Sequence, residues 1–333
     1  MLGADYESFS AVFNINEFGY WEEEHYVLIQ NQSLEVIARA NQIDLQTLRK
    51  KKESWEKMLF KARLDRNPPR LDDKCLTSWN AMMLRGYVDA YKALDNDKYL
   101  ATALKNADFI MRNLLTGDGN LLHSHKDGRN TINGYLEDYC HVIEAFISLY
   151  EATFDEEWLA VAKQMTDYCF DHFYDANSGF FLFTSNLDPA LVSPHYELED
   201  NVIPASNSVM ASNLFKLGIL FENSYYHTVC SNMLAHIIPL IDYPSAYANW
   251  MLVFLNYSDQ NRELAICGDD AMMHAKLILS GYHPNIILAG TTKKATLPFL
   301  KDRFVHDRNQ FYLCHKKTCD LPTADIGTIM EKL

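Results

Sequence analysis

The chain has 333 residues, with 30 Lys and Arg against 44 Asp and Glu, which gives a formal net charge of −14. An acidic surface repels phosphate, so nucleic acid and anionic membranes are poor partners. No stretch approaches the roughly 18 apolar residues of a transmembrane helix, and the first residues lack the basic and apolar regions of a secretory signal. We therefore expect a cytoplasmic protein that does not enter a membrane.

The N-terminal region contains two predicted helices. Residues 1–32 are predicted to be irregular. Ser33 should cap a short helix that ends near Ala40, and Asp44 a longer one from Leu45 to about Leu64. Two prolines at 68 and 69 end that helix. Residues 1–70 are thus predicted to be a lead-in with N-terminal helices.

From residue 76 the sequence repeats a pair of helical stretches, of which the first is apolar nearly all round and the second carries more charge. The pairs are 76–94 with 98–115, 136–153 with 156–173, and 206–221 with 225–240. Such units bury both faces only by stacking on their neighbours. Inner helices surrounded by outer helices indicate a ring of helical hairpins. A fourth start follows Tyr243, and the predicted ring covers residues 71–258.

The two loops between hairpins are long. Residues 116–134 and 174–203 alternate apolar and polar side chains next to Asp-Gly or Ser-Gly, which predicts small β-hairpins. The last 75 residues change character, with short strands around a helix and a third strand at 311–313. Residues 259–333 are therefore predicted to form a small α/β segment.

A polar motif precedes each inner helix, at 72–80, 134–139 and 203–208. Because these motifs occupy the same position in each hairpin, they should meet at one end of the ring, together with the long loops. Two carboxylates roughly 5–10 Å apart would suit acid–base chemistry on a sugar there. The candidate catalytic residues are Asp72, Asp73 and Asp138. Helix capping and loop pinning are the alternative, and they explain these carboxylates without any ligand.

Other side chains of the motifs and loops could contact a substrate through stacking or hydrogen bonds. The candidates are Lys74, Trp79, Asn80, Tyr135, Glu137, His195 and Asn207. Helical phase favours Asp138 over its neighbour Glu137 as the side chain that faces the cleft. His123 and His125 form a His-x-His pair that could bind a metal or transfer protons, but they rank behind the motif residues. We predict no metal and no cofactor.

The seven cysteines are odd in number and lie mostly in apolar helical stretches, without a Cys-x-x-Cys motif. This pattern predicts reduced thiols. Cys314 and Cys319 are the close pair of the sequence. They could be a redox or metal pair, although the lack of further ligand spacing favours structural thiols.

Six motifs in a fixed order carry a family resemblance: Asp72–Lys74 with Leu76–Asn80, Leu136–Tyr139, Leu149–Asp155, Gly179–Phe181, Pro204 with Ser206–Ser208, and Cys314–Cys319 followed by Leu321 and Pro322. The chain resembles the C-terminal region of a family whose members begin with a thioredoxin-like domain and continue into a six-hairpin α-toroid. That family includes the spermatogenesis-associated thioredoxin-like protein. The resemblance implies an all-α fold, an incomplete (α/α)6 toroid, with the small α/β appendage. Its toroid is similar to those of glycoside hydrolases and sugar 2-epimerases.

Two parts of the family pattern are not found, namely the thioredoxin-like domain and the first hairpins. We therefore expect a fragment, a truncated product or one part of a split protein, with an exposed apolar flank that another chain covers. Three functions remain open. The first is a carbohydrate-processing cleft, glycosidase-like or epimerase-like, with a small sugar ligand. The second is a non-catalytic scaffold or protein-binding module that works with a thioredoxin-like domain. The third is a redox module that uses Cys314 and Cys319.

Overall fold

The computed structural model describes residues 2–128, 132–257 and 261–333. The chain forms two compact units, Met1–Asp72 and Asp73–Leu333. The predicted boundary between residues 258 and 259 lies outside the described residues. None of the helices in the described ranges combines the length and the apolar character that crossing a membrane requires.

The described residues of the first unit contain three α-helices, α1 (Tyr6–Phe13), α2 (Leu34–Ala40) and α3 (Leu45–Leu64). As predicted, Ser33 and Asp44 cap α2 and α3 by accepting backbone N–H groups, at 3.4 and 2.9 Å. The expectation that residues 1–32 are irregular is wrong for α1. Phe9 packs edge-on against the fully buried Trp55 of α3, and this tertiary contact stabilises a helix too short to form alone.

The second unit is built on helical hairpins, and its described residues contain three of them. They are α4 (Thr77–Leu94) with α5 (Asp97–Asn113), α6 (Leu136–Thr153) with α7 (Glu156–His172), and α8 (Ser206–Leu220) with α9 (Ser224–Ile237). Along the inner side α4 packs on α6, α6 on α8, and α8 on a fourth inner helix, α10 (Ala248–Asn256). This is the predicted incomplete toroid of hairpins.

The turn inside each hairpin repeats the same chemistry. A left-handed residue ends or follows each inner helix, with φ of 45° at Asp95, 55° at Phe154 and 51° at Glu222. The next residue then caps the outer helix with its side chain, and these caps are Asn96, Asp155 and Asn223. The repeat seen in the sequence is therefore also a repeat of backbone geometry.

The long loops are attached to the hairpins by short strands. In the first loop, β2 (Ser124–His125) pairs with β1 (Cys75–Leu76), which directly precedes α4. The same loop also pairs with itself through an antiparallel bridge between Leu122 and Asn133, which is the small hairpin predicted there. In the second loop, β3 (Tyr174–Asp175) and β4 (Phe180–Phe181) form the predicted hairpin.

The C-terminal segment contains the predicted α/β elements. These are β5 (Arg262–Cys267), α11 (Ala271–Leu279), β6 (Ile286–Thr291), β7 (Gln310–His315), β8 (Thr318–Cys319) and α12 (Ile326–Met330). The sheet order is β6-β5-β7-β8, with β5 parallel to β6 and antiparallel to β7.

Cys314 and Cys319 are joined in a disulfide, so the prediction of reduced thiols is wrong for this pair. The reason is strand register: the two residues lie directly opposite each other in the antiparallel β7–β8 ladder. Sequence spacing alone did not reveal that pairing. The other five cysteines are free thiols, as predicted.

The sheet and the hairpins share one core, and Gly290 of β6 lies where they meet. The Tyr150 hydroxyl lies 3.2 Å from both the Gly290 carbonyl oxygen and its amide nitrogen. The Phe154 ring occupies the space that a side chain at residue 290 would need. Glycine is therefore required here by close packing and not by backbone conformation.

We expect Gly290→Ala to destabilise the protein by about 2 kcal/mol or more, because the added methyl group overlaps the Phe154 ring. Gly86→Ala is the matched control. Gly86 lies in the exposed face of α4 with open space around it, so alanine should stabilise by about 1 kcal/mol. Urea unfolding of both variants measures the two changes. A neutral Gly290→Ala would mean that the sheet does not pack on α6 in this way.

Candidate functional site

One buried carboxylate joins the starts of two inner helices. Asp138, in the first turn of α6, is 0% exposed. Its Oδ1 accepts the Ser78 backbone N–H of α4 at 2.9 Å, and its Oδ2 accepts the Tyr135 N–H at 2.9 Å. Nδ1 of His123 lies 2.9 Å from Oδ2, and the carboxylate requires that nitrogen to be the donor. Asp138 thereby holds α4, α6 and the loop that contains His123 together.

Asn207 and Asp200 hold the start of α8 in a similar way. The buried Asn207 side chain accepts the Phe181 N–H and donates to the Phe181 carbonyl, each at 2.9 Å. The Asp200 carboxylate accepts N–H groups from Ala205, before α8, and from Asn249 of α10, at 2.9 and 2.8 Å. The polar groups at the helix starts therefore lie at one end of the hairpins and bind backbone there.

Beside Asp138 lie two side chains that can transfer protons, His123 and Glu137. The pKa of His123 is raised, chiefly by its hydrogen bond to Asp138. Burial raises the pKa of Glu137, and the negative charges of Asp138 and Glu197 raise it further. Glu137 is partly exposed, whereas helical phase had favoured Asp138 as the residue facing the cleft. We call His123, Glu137 and Asp138 the acid–histidine cluster.

The acid–histidine cluster is also one of two groups in the described residues that could hold a metal ion, since its three ligand atoms lie within 4.8 Å of one another. The other group is exposed and consists of Asp269, His306 and Asp307. In the cluster, both oxygens of Asp138 already accept hydrogen bonds. This carboxylate thus has its partners without an ion.

Aromatic rings line the same end of the molecule. Tyr135 stacks on Phe183 and leans against His123, with ring centroids 4.8 Å apart in both pairs. Phe183 in turn meets the exposed His195 edge-on at 5.6 Å. Phe180 and Phe181 of β4 are buried in the core and do not add to this surface. Phe183, which the sequence did not single out, is the ring that joins Tyr135 to His195.

The remaining predicted site residues lie at or before the start of α4. Asp73 pairs with Lys126 of the neighbouring loop, whose hydrogen bond lowers the pKa of that carboxyl. Asn80 uses its side-chain amide to donate to the Leu76 carbonyl at 2.8 Å. Lys74 is exposed and Trp79 is 62% exposed. Asp72 is the last residue of the first unit.

A cavity of about 1010 Å³ lies on the inner side of the hairpins. All four inner helices contribute polar side chains to its wall, among them Arg85 of α4, Glu144 of α6, Ser212 and Lys216 of α8, and Asn249 of α10. The C-terminal segment contributes others, including Arg262 and Asn285. The hairpins and the C-terminal segment thus surround a partly open cavity with charged and polar side chains in its wall, which we call the polar cavity.

Ion pairs connect the inner helices along this side. Arg85 bonds Glu144 at 2.5 Å, and Lys92 bonds Glu151 at 2.6 Å. Burial alone would raise the pKa of Glu144, but His141 and the Arg85 charge lower it to about 2. Nδ1 of His141 is 3.7 Å from Glu144, beyond hydrogen-bond length.

These lining residues were missed because α6 was predicted to be apolar nearly all round. Its polar residues at 137, 141, 144, 148 and 151 follow one another at alternating steps of four and three, which places them on one face of a helix. That spacing was the available signal. Glu137 of the acid–histidine cluster and Glu144 of the cavity wall are two turns apart on this face, roughly 10 Å along the axis.

No family model matches the chain. It is 28% identical over 90% of its length to spermatogenesis-associated protein 20 of Homo sapiens, and the same figures hold for the Mus musculus protein. The predicted resemblance is confirmed. The chain spans 41% of each of these relatives. An uncharacterised protein of Caenorhabditis elegans is 30% identical over 58% of the chain and is covered over 27% of its own length.

Among solved structures, the chain is similar to a GH76 α-mannanase of Bacteroides thetaiotaomicron, with a TM-score of 0.46 and 13% identity. This match covers 70% of the chain and 66% of the mannanase. A cellobiose 2-epimerase of Bacillus thermoamylovorans gives a TM-score of 0.41 and 15% identity, over 49% of the chain and 44% of the epimerase. Likeness at this level says nothing about the chemistry of this chain.

The contact between His123 and Asp138 predicts a pH-dependent contribution to stability. Because the folded protein raises the pKa of His123 above its ordinary value of 6.5, the contribution is complete below about pH 6.5 and is lost as the pH rises through the folded pKa. The difference in unfolding free energy between the native chain and His123→Asn should therefore be largest below about pH 6.5 and shrink as the pH rises above it.

The control is the same substitution in an Asp138→Asn background, where His123 lacks its charged partner. There the pH-dependent part of the difference should disappear. An unchanged pH dependence in that background would show that another group, and not Asp138, raises the pKa of His123.

Proposed function

We propose that the chain is a carbohydrate-processing protein whose sugar lies in the polar cavity and reacts at the acid–histidine cluster. The observation that carries the proposal is the pairing of a partly exposed carboxyl of raised pKa with a histidine, two helical turns before Glu144 of the cavity wall. A raised carboxyl pKa suits a general acid near neutral pH.

Each member of the acid–histidine cluster receives a distinct role. Glu137 is the proton donor, since burial and like charges favour its neutral form. His123 is the second proton-transfer group. Asp138, predicted as catalytic, is better assigned as the residue that orients His123, because both its oxygens are engaged. The catalytic roles predicted for Asp72 and Asp73 stay predictions.

The lining of the cavity suits a polyhydroxylated ligand. Ser208, Ser212, Asn249 and Asn256 offer both donors and acceptors to hydroxyl groups. The stacked pair Tyr135 and Phe183 supplies the kind of aromatic surface on which the apolar face of a sugar ring packs. Hydrolysis and epimerisation both need a proton donor and a proton acceptor, so the two reactions would use the same residues. They are distinguished by the product that forms.

A second candidate is a non-catalytic scaffold that works with a thioredoxin-like domain. It is favoured by the fact that Asp138 and Asn207 use their polar atoms to hold backbone. Exposed apolar side chains on α4 and α10, such as Met83 and Leu252, offer a surface for such a domain or for hairpins of another chain. These partners, like the cytoplasmic location, remain proposals.

The experiment is a thermal-shift and product screen of the whole chain against mono- and disaccharides. We expect one sugar class to stabilise the protein and to be converted, and Glu137→Gln to lower turnover by about 100-fold or more with little change in binding.

Glu157→Gln is the matched control, since Glu157 is an exposed residue of α7 and its substitution should leave turnover unchanged. If a sugar stabilises the protein but neither the native chain nor the two variants convert it, the result would favour the scaffold. Equal turnover by Glu137→Gln and the native chain would exclude Glu137 as the proton donor.

A further inference from the structure

The disulfide of the C-terminal segment is accessible from one side. Cys319 is exposed, whereas Cys314 is buried at 1% exposure. The two strands that carry them are joined by a tight turn at Lys316 and Lys317, both in the left-handed region with φ of 49° and 66°. An external thiol can therefore reach the Cys319 sulfur, and Cys314 would be the sulfur that leaves.

A guanidinium group lies against both sulfur atoms. Nη1 of Arg303 is 3.6 Å from Cys314 Sγ, and Nη2 is 3.6 Å from Cys319 Sγ. The group packs over two aromatic rings, with its central carbon 4.5 Å from the Phe299 centroid and 5.1 Å from that of Tyr312. A neutral disulfide gains little from such a charge, but a thiolate at the same position gains a great deal.

We infer that Cys314 and Cys319 form a thiol–disulfide exchange site, with low-molecular-weight thiols as reductants and Arg303 as the group that stabilises the departing thiolate. This site is separate from the cavity and does not depend on the function proposed for it. It gives the redox alternative left open by the sequence a defined chemical step.

The step is balanced with two equivalents of thiol. A thiolate attacks Cys319 Sγ and forms a mixed disulfide with it, while the bond to Cys314 breaks and its electron pair stays on Cys314 as a thiolate beside Arg303. A second thiolate attacks the sulfur of the first reductant, which releases Cys319 as a thiolate and a small-molecule disulfide. The protein is reduced by two electrons, and its thiolates take up protons from water according to their pKa.

The nearby free cysteine does not compete. Cys267 of β5 is fully buried, and burial raises its pKa to about 12. It is therefore a neutral thiol near neutral pH and a poor nucleophile. Cys267 therefore does not supply the attacking thiolate.

The test uses the whole chain purified without reductant and equilibrated in mixtures of reduced and oxidised glutathione. Alkylation followed by mass spectrometry of the peptide with Cys314 and Cys319 counts the free thiols. In the untreated protein we expect neither cysteine to react with the alkylating agent, because both are in the disulfide. As the glutathione ratio changes, both thiols should become free together, and the disulfide should form again when the ratio is reversed. Free thiols at both positions before any reductant, or a pair that reduced glutathione does not open, would overturn the inference.

The role of Arg303 is tested by the rate of reduction. Because the rate rises as the leaving thiol becomes more acidic, Arg303→Gln should slow reduction about threefold to tenfold. Arg303→Lys should recover part of the rate because it keeps the charge. Arg308→Gln, an equal loss of charge at an exposed position of the same segment, should leave the rate unchanged.

Circular dichroism checks that each variant is folded, and the reduced pair gives a second readout that does not depend on the stability of the disulfide. Its alkylation by iodoacetamide should need a higher pH in Arg303→Gln than in the native chain. Equal rates of reduction and equal pH profiles in the folded Arg303→Gln and native proteins would show that the guanidinium only packs against the sulfurs.

Discussion

The second unit depends on a carboxylate that is removed from water. A buried charge is tolerated only when hydrogen bonds replace its hydration. For Asp138 those bonds come from the backbone of Ser78 and Tyr135 and from the ring of His123. Because the three donors belong to α4, to the start of α6 and to the loop between hairpins, satisfying the charge fixes these segments relative to one another. Asp200 and Asn207 extend the same arrangement to β4, α8 and α10.

Once the helix starts are fixed, charged residues of α4 lie opposite the polar face of α6. Fifteen of the eighteen residues of this helix are buried, so its charged side chains need neighbours of opposite sign. Arg85 meets Glu144, and two turns further along Lys92 meets Glu151. Glu137 of the acid–histidine cluster and Glu144 of the cavity wall both lie on this face. The hydrogen bonds that fix the helix starts and the proposed chemistry thus lie at the same end of the hairpins. Glu137, which is partly exposed next to Asp138, is not one of the residues that fix the helix starts.

The sequence predicted the features that depend on local spacing. Helical periodicity located the hairpins, and Ser33 and Asp44 were correctly predicted as caps, because these signals need only the neighbouring residues. Helical phase favoured Asp138 over Glu137 as the residue that faces the cleft, whereas Glu137 is the partly exposed one. Two adjacent carboxylates in a first helical turn differ only in what the rest of the fold brings to them. The Cys314–Cys319 disulfide depends on the register of β7 and β8, and α1 depends on its contact with Trp55. Those features require tertiary structure.

The most direct test of this account is native-state hydrogen exchange of the Ser78 and Tyr135 amides in the native chain and in Asp138→Ala. If one carboxylate joins the two helix starts, both amides lose protection together in the variant, while amides in the middle of α9 keep theirs. Retained protection at Ser78 and Tyr135 in a folded Asp138→Ala protein would contradict the account, because the inner helices would then be held in register by something other than this carboxylate.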